Sequence, residues 1–179
     1  MPADDFVVTP WNVEGDIDYD KLIKRFGTQK ITPDLLSKIE KFTNESHFML
    51  RRGIFFSHRD LNRLLDDYEK GKQFFLYTGR GPSGHTHIGH LVPWVFAKWL
   101  QDKFDAKMYF QLTDDEKFWT KKDMSLEETT NFALENALDF IALGFKPENT
   151  KIIIDTKNIR TLYPIAAEVA KRINFSNTK

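Results

Sequence analysis

The chain contains no cysteine among its 179 residues. Disulfides and thiolate-ligated zinc sites are therefore excluded, and the composition fits a reducing compartment. No apolar run is long enough to span a bilayer. The start, Met1-Pro2-Ala3-Asp4-Asp5, is acidic and lacks the apolar core of a secretory signal. These absences predict a cytoplasmic protein with no membrane partner. An excess of one charge is lacking too: Lys+Arg and Asp+Glu both number 26. No global basic field advertises a nucleic acid, although a local basic patch is still compatible with RNA. No internal repeat, low-complexity tract or clear linker is visible. What is present is ordinary for a globular chain: 41% apolar and 29% charged residues, enough for one domain with a real core or one domain plus an appendage.

The front of the chain is irregular. Gly15-Asp16 between two apolar alternations predicts a hairpin in the segment that opens Phe6-Val7-Val8. Thr32-Pro33-Asp34 reads as a helix start, with Thr32 as N-cap, Pro33 in the first helical position and Asp34 facing the positive dipole end. Leu35, Leu36 and Ile39 then form its buried face. Ser57 and Asp60 resemble a capping box for a second helix, with Leu61, Leu64, Leu65 and Tyr68 as its stripe and Gly71 as its stop. Residues 1–72 are thus expected to be a mostly helical appendage.

From Gln73 strand and helix alternate. Gln73-Phe74-Phe75-Leu76 reads as a buried strand. Ile88, Leu91, Val92, Val95, Phe96, Trp99 and Leu100 mark one face of a long helix, with Pro93 in its first turns. Lys107–Thr113 is a second strand. Ser125 and Glu128 form a capping box on a helix whose expected inner face is Thr130, Ala133, Leu134, Ala137, Leu138 and Ile141. Lys151–Ile154 is a third strand, and Pro164–Ile173 a third helix. Three strand–helix units with short turns predict an α/β fold: residues 73–179 form the first half of a doubly wound, parallel, Rossmann-like nucleotide-binding sheet. Three strands are half of such a sheet, so the chain is expected to be the front part of a longer protein.

The densest chemistry lies between the first strand and first helix of this region, in Tyr77-Thr78-Gly79-Arg80-Gly81-Pro82-Ser83-Gly84-His85-Thr86-His87-Ile88-Gly89-His90. Strand, glycine-rich turn, helix is a phosphate-binding layout. The first N–H groups of a helix have no internal partner, and the dipole adds about half a positive charge there. Glycines let a ligand approach the backbone. Other readings of the turn exist. Gly79, Gly81 and Gly84 satisfy the G-x-G-x-x-G dinucleotide fingerprint, which would make the protein a dinucleotide-dependent oxidoreductase. Pro82 inside it, and a helical stripe that begins only at Ile88, weigh against this. His85, His87 and His90 are possible metal ligands, but no cysteine and no H-E-x-x-H pattern supports a zinc site, and none is expected. The plainest reading is a solvated turn whose histidines cap the helix.

His87-Ile88-Gly89-His90 matches the H-I-G-H signature of class I aminoacyl-tRNA synthetases. The string Tyr77–Gly84, together with Thr113-Asp114-Asp115-Glu116-Lys117, resembles the tryptophanyl-tRNA synthetase family of the archaeal and eukaryotic type. So do Thr9–Gly15, Asp18–Ile23 and Phe55–Asp60, and the resemblance covers nearly the whole chain. It implies an ATP- and Mg²⁺-dependent ligase that joins the carboxylate of L-tryptophan to the α-phosphate of ATP, expels pyrophosphate and passes the amino acid to tRNA(Trp). In that reading His87 and His90 donate hydrogen bonds to the phosphates. Thr78, Gly79, Arg80, Gly81, Ser83 and Gly84 line the ATP site, and Gly89 admits adenine and ribose. Tyr77 and Gln111 read the indole N–H, and Glu116 pairs with the substrate ammonium. A homodimer is also implied. His85, Asp114 and Asp115 receive no role.

His85-Thr86 departs from what related enzymes often carry. The second family signature, K-M-S-K-S, is missing: Lys121-Lys122-Asp123-Met124-Ser125 is only superficially like it and leads into the capping box. By resemblance, that signature and the anticodon-reading domain lie beyond residue 179. The chain alone is therefore expected to charge tRNA negligibly. The competing expectation is a non-catalytic fragment or paralogue that serves as a binding module.

Overall fold

A computed structural model describes residues 6–8, 13–15, 18–174 and 176. By density of internal contacts the chain divides into two units, Met1–Lys72 and Gln73–Lys179.

In the first unit, strands β1 (Phe6–Val8) and β2 (Val13–Gly15) pair antiparallel. The hairpin exists, but Gly15 closes its second strand opposite Phe6 instead of forming the turn; Asp16 lies outside the described residues. Helix α1 (Tyr19–Phe26) is capped by Asp18 and ended by Gly27 in the left-handed region. Strand β3 (Gln29–Lys30) precedes α2 (Pro33–Thr43), and the Thr32 hydroxyl accepts from the Leu35 N–H as expected. Leu35 and Ile39 are buried. After α3 (Phe48–Arg51), Ser57 does not start a helix: Ser57–His58 is strand β4, paired with β3. Helix α4 (Leu61–Glu69) begins later, after Asp60 at φ +59°, and its first N–H is taken by His58 Nδ1. The polar pair at 57 and 60 is thus used by a strand end and a turn, and Leu65 alone of the expected stripe is fully buried.

The second unit is a three-stranded parallel sheet in the order β5 (Phe75–Arg80), β6 (Lys107–Leu112), β7 (Thr150–Ile154). Helix α5 (Ile88–Phe104) links β5 to β6. Helices α6 (Asp114–Thr120) and α7 (Leu126–Ala142) link β6 to β7, with a 3-10 turn at Pro147–Asn149. Helix α8 (Ile159–Ala170) follows; it starts five residues before the expected Pro164, which lies inside it. Consecutive strands lie side by side, so both crossovers pack on one face. Met108, Phe110 and Leu112 point into that face and meet Trp94 and Ala97 of α5 and Ala133, Ala137 and Phe140 of α7. Phe110 and Phe140 stack with centroids 3.8 Å apart and 6° between planes, Phe145 stacks on Phe140 at 4.0 Å, and Trp94 meets both Phe110 and Phe140 edge-on. Such an aromatic cluster supplies much of the apolar burial of a small sheet.

Three expectations are corrected here. Burial alternates along β5, leaving Phe75 64% and Tyr77 62% exposed, because among the described residues only one face of this strand meets helices. The inner face of α5 is Trp94, Ala97, Gln101 and Phe104, while Ile88 is 81% exposed. Gln101 is fully buried yet satisfied: its amide donates to Thr150 Oγ1 at 3.0 Å and accepts from the Lys146 N–H at 2.9 Å. The inner face of α7 is Thr129, Ala133, Asn136, Ala137 and Phe140, whereas Leu134, Leu138 and Ile141 are exposed. Both helices carry apolar residues around most of their circumference, so periodicity alone could not select the buried face. Among the described residues no helix is long and apolar enough to cross a membrane.

Candidate active site

The open face of the sheet and the carboxyl ends of its strands carry the singled-out residues. The glycine-rich turn leaves β5 and enters α5, and its two histidines cap that helix reciprocally. His87 Nδ1 accepts from the Gly89 N–H at 3.2 Å, and His90 Nδ1 accepts from the His87 N–H at 3.2 Å. Both rings therefore use Nδ1 as an acceptor, and the proton of the neutral imidazole sits on Nε2. Two Nε2–H donors are thus oriented by the backbone of one helix start, with ring centroids 3.8 Å apart. Burial, then the Arg80 charge and His87, lower the His90 pKa from its ordinary value, so this ring stays a neutral donor at neutral pH. The capping reading and the phosphate-donor reading are compatible: capping sets the tautomer that a donor needs.

Arg80 braces the same turn. Its Nη2 donates to the carbonyls of Gly84 and His85, both at 2.9 Å, and the buried Asn136 amide adds a bond to Gly84 at 3.2 Å. His85 is exposed and reaches α7, where Nδ1 lies 3.1 Å from Glu135 and the ring meets Phe132 edge-on. The glycines divide by role. A Cβ at Gly79 would sit 2.6 Å from the Gln111 carbonyl oxygen, and one at Gly81 would overlap Lys117 and come 3.0 Å from Glu116 Oε2. These two permit close packing within the chain. Gly84 faces open space, and Gly89 meets only the His87 ring; these are where a ligand can come close.

Tyr77 and Gln111 come together: the Tyr77 hydroxyl donates to Gln111 Oε1. Glu116 lies instead beside the glycine turn, where Oε1 pairs with Lys117 Nζ at 3.1 Å and Oε2 accepts from the Thr113 hydroxyl at 3.2 Å. Asp114-Asp115-Glu116 opens helix α6, where carboxylates in the first turn favour the dipole. Asp114 is fully buried, with three bonds: from Thr130 Oγ1 at 3.0 Å, from the Thr156 N–H at 3.1 Å and from Thr156 Oγ1 at 2.6 Å. It joins three segments at the carboxyl edge and is structural. Two residues were not singled out from the sequence: Lys117, under Gly81, and Asp155, whose carboxylate holds the Gln111 amide. Their signal was position alone, at the carboxyl end of a parallel strand, where open α/β sheets bind ligands. Among the described residues no group of three or more histidine, aspartate or glutamate side chains could hold a metal ion.

Comparison with known proteins decides the family. The family described as tRNA synthetases class I (W and Y) matches residues 69–171. The chain belongs to this family. It is 54% identical over 179 residues to the tryptophan–tRNA ligase of Saccharolobus solfataricus, covering all of this chain and 47% of that protein. It is 56% identical over 178 residues to that of Sulfurisphaera tokodaii, again covering 47% of the relative. The chain thus spans about half the length of the curated relatives it matches. Among solved structures, the Plasmodium falciparum tryptophanyl-tRNA synthetase superposes with a TM-score of 0.85 at 45% identity, over 90% of this chain and 45% of that one. The Encephalitozoon cuniculi enzyme bound to tryptophan gives 0.83 at 40% identity, over 89% and 47%. The α/β sheet seen here is therefore the Rossmann-like fold of the synthetases, and His87–His90 lies between a parallel strand and a helix.

Proposed function

We propose that the chain carries the adenylate-forming site of a cytoplasmic tryptophan–tRNA ligase, with L-tryptophan, ATP accompanied by Mg²⁺, and tRNA(Trp) as substrates. The observation that carries this reading is the Tyr77–Gln111 pair on the open sheet face, beside a helix start whose two histidines present Nε2–H donors. The pair offers a hydrogen-bond acceptor beside an aromatic ring, which suits an indole N–H and leaves phenylalanine with an unpaired polar partner. The carboxylate of the amino acid attacks the α-phosphorus of ATP and pyrophosphate leaves. Catalysis of this kind rests on positioning and charge stabilisation. His87, His90 and the α5 dipole stabilise charge developing on the phosphates, with no proton transfer required of either ring. Gly84 and Gly89 leave room for the nucleotide. Glu116 receives the substrate ammonium in exchange for Lys117. The homodimer rests on resemblance to the family.

Calorimetric titration with a non-hydrolysable tryptophanyl-adenylate analogue tests this, with the tyrosyl analogue and NAD as controls. Tight binding of the tryptophanyl analogue alone is expected. Preference for the tyrosyl analogue would move the chain to the other branch of its family. Binding of NAD would replace the reading with a dinucleotide site.

A further inference from the structure

Tyr77 inside β5, Gln111 near the end of β6 and Asp155 just past β7 form a diagonal row across the sheet. Tyr77 lies opposite Tyr109, and Gln111 is two residues further along β6; Gln111 lies opposite Ile153, and Asp155 is two residues further along. Steps of two keep all three on one face of a sheet. The row is joined by hydrogen bonds of fixed sense. Gln111 Nε2 donates to Asp155 Oδ1 at 2.8 Å and to Oδ2 at 2.9 Å, and the Tyr77 hydroxyl donates to Gln111 Oε1. Asp155 is only 7% exposed, and its own N–H is anchored on the Leu112 carbonyl at 3.1 Å.

A glutamine amide has a donor end and an acceptor end, and rotation by half a turn exchanges them. Both Asp155 oxygens accept from the Gln111 amide, although burial and then the nearby Asp115 and Asp114 carboxylates raise the Asp155 pKa against the opposing bond from Gln111. We infer that Asp155 is the positioning residue for substrate selection: it holds the Gln111 amide with Oε1 toward Tyr77, so that the pocket presents an acceptor and admits a ring bearing an N–H donor. This rests on the tryptophan reading of the site and adds to it the group that sets the polarity of the selecting amide. With the amide reversed, Nε2–H would face the indole N–H, donor against donor.

The test uses the full-length protein and two ligands: L-tryptophan and 3-benzothienyl-L-alanine, in which sulfur replaces the N–H at nearly the same shape. The readout is the ratio of their dissociation constants in wild type, Asp155→Asn and Asp155→Ala, with melting curves for each. Asparagine fills the same space but can present either end, so it folds where alanine leaves Gln111 unpaired. The wild type should prefer tryptophan. Both variants should lose about tenfold or more of that preference through weaker tryptophan binding, with benzothienylalanine unchanged, the cost expected for a mispaired buried amide. If Asp155→Ala does not fold, Asp155→Asn alone decides. An unchanged ratio, or equal weakening of both ligands, would overturn the inference and leave the tryptophan reading intact. A wild type without preference for tryptophan would overturn that reading, and the inference with it.

Discussion

Gly79, inside β5, and Gly84, in the turn that follows it, lie five positions apart and look equivalent in the sequence, yet they face different neighbours. A methyl group at Gly79 meets the Gln111 carbonyl and must push β5 from β6, whereas one at Gly84 meets nothing. Gly79→Ala is therefore expected to destabilise the protein by about 1–3 kcal/mol, the usual cost of overpacking. Gly84→Ala should stay within about 0.5 kcal/mol of wild type. Urea unfolding of the two variants side by side measures this. A ligand in the open space should make Gly84→Ala weaken binding of an ATP analogue despite its unchanged stability. The histidines were legible as a motif; that each Nδ1 is spent on a helix cap was not, because a tautomer depends on which backbone N–H groups lie within reach.

Asp114 shows how one side chain ties several elements together. It sits at the start of α6 and accepts from Thr130 on α7 and from Thr156 after β7. Asp114→Ala leaves a buried N–H and two hydroxyls without their acceptor. A loss of roughly 3 kcal/mol is expected, at about 1–3 kcal/mol per unsatisfied group with partial relaxation. Asp114→Asn keeps one acceptor and should lose less, read as the shift in denaturation midpoint. Caps were the most legible features of the elements: Thr32, and the Ser125–Glu128 box, behave as their sequence spacing implies. The Ser57–Asp60 pair did not, because strand β4 found β3 as a partner, and strand pairing is a non-local event that no short motif encodes.

Across the whole molecule, two helix-capping histidines couple stability to pH. Burial, then the charge of Arg51, lower the His47 pKa, with Glu45 opposing; burial, then the Arg80 charge and His87, lower that of His90. Each group binds its proton more weakly folded than unfolded. The stability it contributes is fully present above its unfolded value of 6.5 and is lost as pH falls through the lower folded value. The melting temperature should therefore drop between pH 7.5 and 5. His47→Asn and His90→Asn, which retain a capping oxygen, should each flatten that drop. An equally steep drop in the double variant would assign the effect to other groups.

Alternation of strand and helix, the helix starts at Thr32 and Ser125 and the glycine-rich turn before α5 were determined by the chain itself, because each depends on residues within a few positions of one another. Tyr77, Gln111 and His87–His90 were singled out by short strings whose resemblance to a family does not need a fold. The buried faces of α5 and α7 were decided by assembly. Both helices are apolar on several sides, and the side that meets Met108, Phe110 and Leu112 wins. Assembly likewise brought Asp155 to Gln111, 44 residues away in sequence, and set the direction of the selecting amide. Hydrogen bonds between strand ends depend on register, and register exists only once the sheet has formed.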